Sequence, residues 1–476
     1  MILKDEFLIF GYHATCTDWF AFKSEKTYLE KSNLTPEVFH DYKEAGFNVY
    51  FVSYITGWDG DKCRGKFNES LTKKSLDLAH AEGMKAFFFE ENLHRLSKNE
   101  ESLINPEKAD GFTYFASEKE LDDYIGACIA EPMAHPAAIG VSTKDEPVWE
   151  MFTAYGEVYR SLKRLYPNIY INANLLPYSS ELVTREHRGF YCPNESELGP
   201  VEAYRTYVRE FVKATNPDFV QYDDYPIHER DNGEKYLING HLVGAQMVAE
   251  ICKEKGVPFA KVFQACQLFT SGKLCKKPTE RDMYWQMNIG MAMGIKIYSY
   301  WSYFPVVNAG GERYDETACF VNKHAEKNPL WFWMQRIHAE MQKAAKTLLQ
   351  FEFKGMKTYL TEDAPGDTNF AKEFIAETEN GRIRSYEFEK VSDVKLKKAG
   401  VALVTELFDK ETGRYGYYLV NATDPEMNES QEIEVAFTGC EQAKVLYKGE
   451  EQTVRLCDGV GKFPLGCGQG VFVIPE

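Results

Sequence analysis

Apolar and polar positions change their rhythm once along this chain, near Leu349. Before that point, short apolar runs alternate with stretches whose apolar residues recur every three to four positions. After it, apolar and polar residues alternate with period two. The first rhythm predicts strands separated by amphipathic helices, and the second predicts antiparallel strands. The strands expected in the first part are Phe7–Tyr12, Phe47–Ser53, Met84–Glu91, Ile139–Val141, Ile169–Leu175, Asp218–Asp223, Pro258–Gln267 and Ile295–Trp301. The helices expected between them are Thr35–Gly46, one ending in Ser75–Gly83, then Leu121–Ala134, Met151–Tyr166, Val201–Thr215, Leu242–Lys255, Arg281–Met293 and Leu330–Leu349. Thr35 suits an N-cap, Pro36 the first turn and Gly46 the stop.

Eight strand-then-helix units predict an α/β fold, a (β/α)8 TIM barrel over residues 1–350, ahead of an open doubly wound sheet. The loops favour the barrel. Helix-to-strand connections are tight, as in Ala45-Gly46-Phe47 and Glu82-Gly83-Met84, while strand-to-helix connections such as Tyr54–Leu71, Pro177–Pro200 and Pro305–Asn328 are long. Long loops on the C-terminal face of the strands are what a loop-built pocket requires. Residues 351–476 read as an antiparallel β-sandwich. Its expected strands are Arg382–Glu389, Val401–Phe408, Gly416–Asn421, Gln431–Phe437 and Gly470–Ile474, with Asn380-Gly381 and Thr412-Gly413 as turns.

Composition narrows the partners. A chain of 476 residues with 44% hydrophobic residues can bury two sizeable cores. Its formal net charge of −17 argues against nucleic acid or an anionic membrane as partner. No apolar run reaches membrane-spanning length. The 11 cysteines are scattered with no CxxC, which fits a reducing compartment, and the ten histidines show no ligand spacing, so neither metal nor other cofactor is expected. Met1-Ile-Leu-Lys-Asp-Glu6 does not read as a signal peptide, so a cytoplasmic location is expected, although a chain trimmed of its leader would read the same. Aromatics make up 14% of the chain, which suits sugar rings but equally fills cores.

Placed on the barrel, the strand ends form a rim of carboxylates, amides and aromatics with few cations. Strand one offers Tyr12 and His13, strand three Glu90, Glu91 and Asn92, and strand four Asp145 and Glu146 before the strand-ending Pro147. Strand five offers Asn172 and Asn174; strand six offers Tyr222, Asp223, Asp224 and Tyr225. Strand seven offers Gln264 and Gln267, and strand eight Tyr300, Trp301 and Tyr303. Cleaving an acetal needs one carboxylic acid to protonate the leaving oxygen and a second group to stabilise the oxocarbenium-like centre. This rim supplies both and lacks a phosphate cradle. Each residue also has a plainer role open to it: an N-cap for Glu90 or Glu91, a satisfied rim histidine for His13, core packing for Trp301.

The stretch His135-Pro-Ala-Ala-Ile-Gly-Val-Ser-Thr-Lys-Asp-Glu-Pro147 resembles the strand-four signature of glycoside hydrolase barrels related to family 42 β-galactosidases and the wider clan A. Asn174-Leu-Leu-Pro177, Gln221-Tyr-Asp-Asp-Tyr-Pro226, Tyr298-Ser-Tyr-Trp301 and the closing segment Phe463–Val473 resemble the same group. The resemblance implies a carbohydrate substrate and Glu146 as general acid/base. It also implies a nucleophilic Glu on strand seven, where Lys261-Val-Phe-Gln-Ala-Cys-Gln267 has none. Three alternatives stay open. Asp223 or Asp224 supplies the second carboxylate, as in α-galactosidase-like barrels, with Asp223 favoured because it follows the Tyr directly. Or Asp145-Glu146 acts like the pair of family 20 and 123 hexosaminidases, Asp145 orienting a substrate acetamido group whose oxygen Tyr222 or Tyr225 binds. Or an Asp activates water in an inverting reaction. Strict alternation sends Asp145 and Glu146 to opposite faces unless a bulge intervenes. A barrel that binds carbohydrate without cleaving it is the rival from another class.

Overall fold

The computed structural model describes residues 5–12, 33–52, 71–179, 190–193, 195–270, 273–305 and 313–476. Up to residue 223 its elements are β1 (Leu8–Gly11), α1 (Pro36–Glu44), β2 (Val49–Val52), α2 (Leu71–Ala81), β3 (Lys85–Phe89), α3 (Glu91–Ser97), α4 (Glu118–Met133), β4 (Ala138–Ser142), α5 (Phe152–Leu165), β5 (Tyr170–Asn172), β6 (Asn174–Leu175), α6 (Glu195–Leu198), α7 (Pro200–Thr215) and β7 (Val220–Asp223). Then follow β8 (Ile227–Glu229), β9 (Lys235–Leu237), α8 (His241–Lys255), β10 (Phe259–Gln264), β11 (Leu268–Thr270), β12 (Lys273–Cys275), α9 (Glu280–Ala292), β13 (Ile295–Trp301), β14 (Arg313–Tyr314) and α10 (Pro329–Leu348). The remainder is β15 (Glu352–Leu360), α11 (Asn369–Glu379), β16 (Val391–Leu396), β17 (Val401–Asp409), β18 (Arg414–Asn421), β19 (Gln431–Phe437), β20 (Gln442–Tyr447), β21 (Glu450–Arg455), β22 (Val460–Leu465) and β23 (Gly470–Pro475). This is an α/β fold followed by antiparallel sheets. Two compact units divide it: a first of Ile9–Asp223 and Ser299–Asn328, and a second of Met1–Leu8, Asp224–Tyr298 and Pro329–Glu476.

In the first unit β2, β3, β4 and β5 form a parallel sheet in that order. Their apolar runs, such as Ala86-Phe87-Phe88, are buried rather than alternating, as parallel strands covered on both faces require. Gly140 is needed where β4 meets β5, because a Cβ there would lie 2.1 Å from the Tyr170 carbonyl oxygen. The expected fifth strand breaks at Ala173: β5 pairs with β4, and β6 pairs in parallel with β7. Phe10 of β1 lies against Phe51 of β2 and Phe87 of β3, with centroids 5.9 and 5.8 Å apart, and Phe87 meets Phe219 before β7 at 6.4 Å. Helix α1 has the expected ends, with Val38 N donating to Thr35 Oγ1 and Gly46 at φ 91°. Ser53, His13 and much of the expected loops (54–70, 180–189 and 306–312) lie outside the described residues.

In the second unit residues 352–476 form a β-sandwich. One antiparallel sheet runs β15-β17-β18-β23-β20-β21 and the other β16-β19-β22. Val404, Leu419 and Val473 of the first pack with Ile433, Val435 and Phe463 of the second in one core. Strand β19 alternates buried and half-buried residues as period two demands. Two expectations fail here. Arg382–Glu389 is not a strand: Ile383 is buried, but Tyr386 Oη and Glu389 N are held by the buried Glu406 carboxylate instead of by ladder bonds. Asn380-Gly381 ends helix α11, which the period-two reading passed over, rather than turning a hairpin. The hairpins β8–β9 and β11–β12 are not among the expected strands. No helix among the described residues is long and apolar enough to cross a membrane.

Candidate active site

The end of β4 is irregular in an informative way. Thr143 N donates to Asn172 O at 3.0 Å, and the next bond of the ladder runs from Glu146 N to Asn174 O at 2.8 Å. A regular parallel ladder would place these donors two residues apart; here they are three apart, so one extra residue is inserted. Glu146 takes it up with φ 46°, uncommon for a side chain of this size. Bulges of this kind re-aim side chains at the rims of barrels and active sites. Pro147 follows, and its carbonyl accepts the Tyr207 hydroxyl at 2.5 Å. The strict alternation that would have sent Asp145 and Glu146 to opposite faces is therefore broken.

Asp145 accepts the Asn174 side-chain amide at 3.1 Å. The residue is exposed as a whole, and yet loss of solvation raises its pKa, against the lowering pull of Asn174 and Lys144. Both hold for a group that water reaches from one side while protein crowds the others. Beside it the Tyr12 hydroxyl accepts Asn172 Nδ2 at 3.1 Å and Gln221 Nε2 at 2.9 Å, and Ser299 Oγ donates to Gln221 Oε1 at 3.3 Å. With both acceptor positions filled, the Tyr12 proton is left for donation. Burial first, and then the charges of Asp145 and Asp223, push the Tyr12 phenol up, so it stays a neutral donor. Tyr207 is raised by burial and by Glu146 and Asp223 among others. The Asp223 charge thus acts on both hydroxyls, that of Asp145 on Tyr12 and that of Glu146 on Tyr207. The half-buried Trp301 ring stands 5.9 Å from Tyr12.

The first unit therefore brings Asp145, Glu146, Asn174, Asp223 and Trp301 around Tyr12 and Tyr207. Glu90 is occupied otherwise. It is the N-cap of α3, accepting Leu93 N at 2.8 Å and Asn92 Nδ2 at 3.0 Å, and burial pushes its pKa up to about 7. Glu91 begins the same helix, half-buried and raised by desolvation. The expected third strand ended too late because two acids after three Phe read equally well as strand end or helix start. Tyr222 is buried, 1% exposed. Asp224, Tyr225, Gln264 and Gln267 belong to the second unit. There Asp224 accepts His241 Nδ1 and, at 3.4 Å, Lys261 Nζ, all three being buried. Gln264 ties down the hairpins, accepting Ile227 N at 3.0 Å and donating to Ile227 O and Lys276 O at 2.9 Å each. Gln267 and Tyr225 are half-buried. His13 lies outside the described residues. Sequence reading missed Gln221 and Tyr207; a lone amide inside the apolar run Phe219-Val-Gln-Tyr222 was the available signal for the first. Among the described residues no group of three or more His, Cys, Asp or Glu is arranged to hold a metal ion.

No protein-family model matches the chain, and no curated protein matches it in sequence. Solved structures do match in shape. A GH42 β-galactosidase superposes with a TM-score of 0.57 at 11% identity, covering 99% of this chain and 98% of its own. An Anoxybacillus α-amylase gives 0.51 at 10% identity over 100% and 99% of the two chains. A GH27 β-L-arabinopyranosidase from Geobacillus stearothermophilus, solved with arabinose, gives 0.51 at 10% identity over 100% and 97%. At such identities the likeness establishes a shared fold from end to end.

Proposed function

We propose that this protein is a glycoside hydrolase whose reaction is run by Asp145 and Asp223 at the strand ends, on a carbohydrate substrate. The observation that carries the proposal is that two carboxyl groups, Asp145 and Asp223, both act on the Tyr12 hydroxyl, Asp145 being an exposed residue raised in pKa. One carboxylic acid can protonate a glycosidic oxygen while a second carboxyl group stabilises the positive centre or activates water. Asp145 takes the first role and Asp223 the second. The amides of Asn172, Asn174 and Gln221 fix these groups, and Trp301 offers a ring face to a sugar. The fold shared with a β-galactosidase, an α-amylase and an arabinopyranosidase supports the same class of chemistry. Asp224 is excluded from the reaction on this account because its Oδ2 is bound to Lys261 and His241.

The proposed architecture is a closed (β/α)8 barrel over residues 1–350 with the sandwich of residues 351–476 as a separate domain. Supporting closure are the ring contacts of Phe10 with β2 and β3 and of Phe87 in β3 with Phe219 just before β7, since a flat open sheet keeps its third and sixth strands apart.

Glu146, the residue the strand-four signature points to, carries a second reading as proton donor, favoured by its position in the bulge and its nearness to Tyr207. Leaving groups separate the two. An acid variant loses turnover on unactivated glycosides by roughly 10²–10⁴-fold but keeps it on aryl glycosides with good leaving groups. We expect Asp145→Asn to behave so, Asp223→Asn to lose both, and Glu146→Gln to keep most of both. If Glu146→Gln shows the acid pattern and Asp145→Asn does not, the roles exchange. Wild-type hydrolysis of aryl hexosaminides alone, with aryl galactosides and glucosides untouched, would favour substrate assistance by an acetamido group. Binding without turnover across the whole panel would leave a carbohydrate-binding barrel.

A further inference from the structure

Within the second unit, α9, α10 and strands β18, β20 and β23 line a cleft that opens to solvent. Met287, Met291, Met341 and Phe472 give it apolar walls. At its centre is Glu340 of α10, whose carboxylate accepts the Tyr284 hydroxyl at 3.1 and 3.3 Å. The Tyr418 and Tyr447 hydroxyls of the cleft donate to Asn288 Oδ1 at 2.9 Å and Gln469 Oε1 at 2.5 Å, so the Tyr284 hydroxyl is the donor on this carboxylate. No ammonium or guanidinium among the described residues forms an ion pair with Glu340; Lys343, one turn along α10, pairs with Glu450 at 2.5 Å. A half-buried negative charge among aromatic and methionine side chains, with only a neutral donor on it, is suited to a cation.

A cation of the chain's own stands at the rim. Lys448 and Gly449 form the two-residue turn between β20 and β21, where Tyr447 pairs with Glu450. Both residues have positive φ, 50° and 76°, as a primed hairpin turn demands. The turn is pressed against α10, since a Cβ on Gly449 would lie 2.8 Å from the Glu340 carbonyl oxygen. That seat places the Lys448 ammonium 5.6 Å from the ring centroids of both Tyr284 and Tyr447. An ammonium near two ring faces beside a carboxylate is the arrangement that recognises organic cations.

We propose that this cleft binds a small protonated amine carried on an apolar-faced ring, an amino sugar or a cyclic alkylamine, and that Lys448 holds the same ring faces when the ligand is absent. The site is independent of the hydrolase assignment. The test is a calorimetric titration of the full-length protein with glucosamine, cyclohexylamine and glucose. We expect both amines to bind with a Kd on the order of 1 mM and glucose not to bind at this site. Glu340→Gln weakens the amines by roughly tenfold through loss of the charge. Lys448→Ala tightens them by about threefold, because the competing ammonium is gone. Binding of glucosamine without cyclohexylamine assigns the site to the sugar amine. Absence of amine binding, affinity for glucose equal to that for glucosamine, indifference to Glu340→Gln, or weakening by Lys448→Ala would each overturn the proposal.

Discussion

Two adjacent aspartates at the end of β7 are both buried but keep different company. Asp223 belongs to a cluster of carboxylates, amides and a phenol whose neighbour Asp145 meets water and is raised in pKa. Asp224 lies in a sealed cluster. Burial would raise it, but the charges of Lys261 and His241 outweigh that and hold it at about 2, while burial and Lys261 keep His241 low. The Trp285 ring stacks on His241 at 5.3 Å and closes that cluster. The difference teaches how to sort polar strand ends. Charges that are buried and paired hold a fold together, whereas charges that are crowded on one side and wet on the other remain able to exchange protons.

The sharpest break of this comparison is Lys261→Met. Removing one partner of a buried pair leaves Asp224 uncompensated, and we expect a loss of about 3–5 kcal/mol in chemical denaturation. A variant as stable as the wild type would mean that the sealed cluster is not structural.

Glu90 gives the next effect, with the sign worked out from its burial. Its folded pKa of about 7 lies above the ordinary 4.5, so its contribution is complete below pH 4.5 and is lost as pH rises through about 7. The loss amounts to about 3 kcal/mol at most. Asp224 acts in the opposite sense, its contribution being present above the ordinary value of 3.8 and lost only as pH falls through about 2. Urea midpoints measured from about pH 5 to about pH 8 should therefore fall more steeply for the wild type than for Glu90→Gln. Parallel slopes in the two proteins would count against the assignment.

The smallest effect sharpens the wet side. Tyr12→Phe removes the proton offered between Asp145 and Asp223 while leaving the ring on Phe51, 4.5 Å away. We expect kcat to fall about tenfold, the worth of one hydrogen bond to a charged group, with KM nearly unchanged and the acid limb of the pH–rate profile displaced. A fall confined to KM would assign Tyr12 to substrate binding instead.

The sequence by itself determined the order of strands and helices, because burial on both faces demands unbroken apolar runs and burial on one helix face demands a period near 3.6. It determined that acids and amides gather at strand ends, since Pro147 and Tyr225-Pro226 mark where the strands stop. Local rhythm was not enough at Arg382–Glu389, where a buried Glu406 replaced ladder bonds, nor at Glu90, where capping and catalysis ask for the same residue type. Tertiary structure decided what each acid does. The bulge at Glu146 is a mismatch of three residues against two between neighbouring strands, and no single strand carries that information. Whether Asp223 or Asp224 is sealed depends on Lys261 and His241, which are 37 and 17 residues away from Asp224 along the chain and beside it in space. A carboxylate's ionisation follows from the charges and the water around it, and only the folded chain sets both.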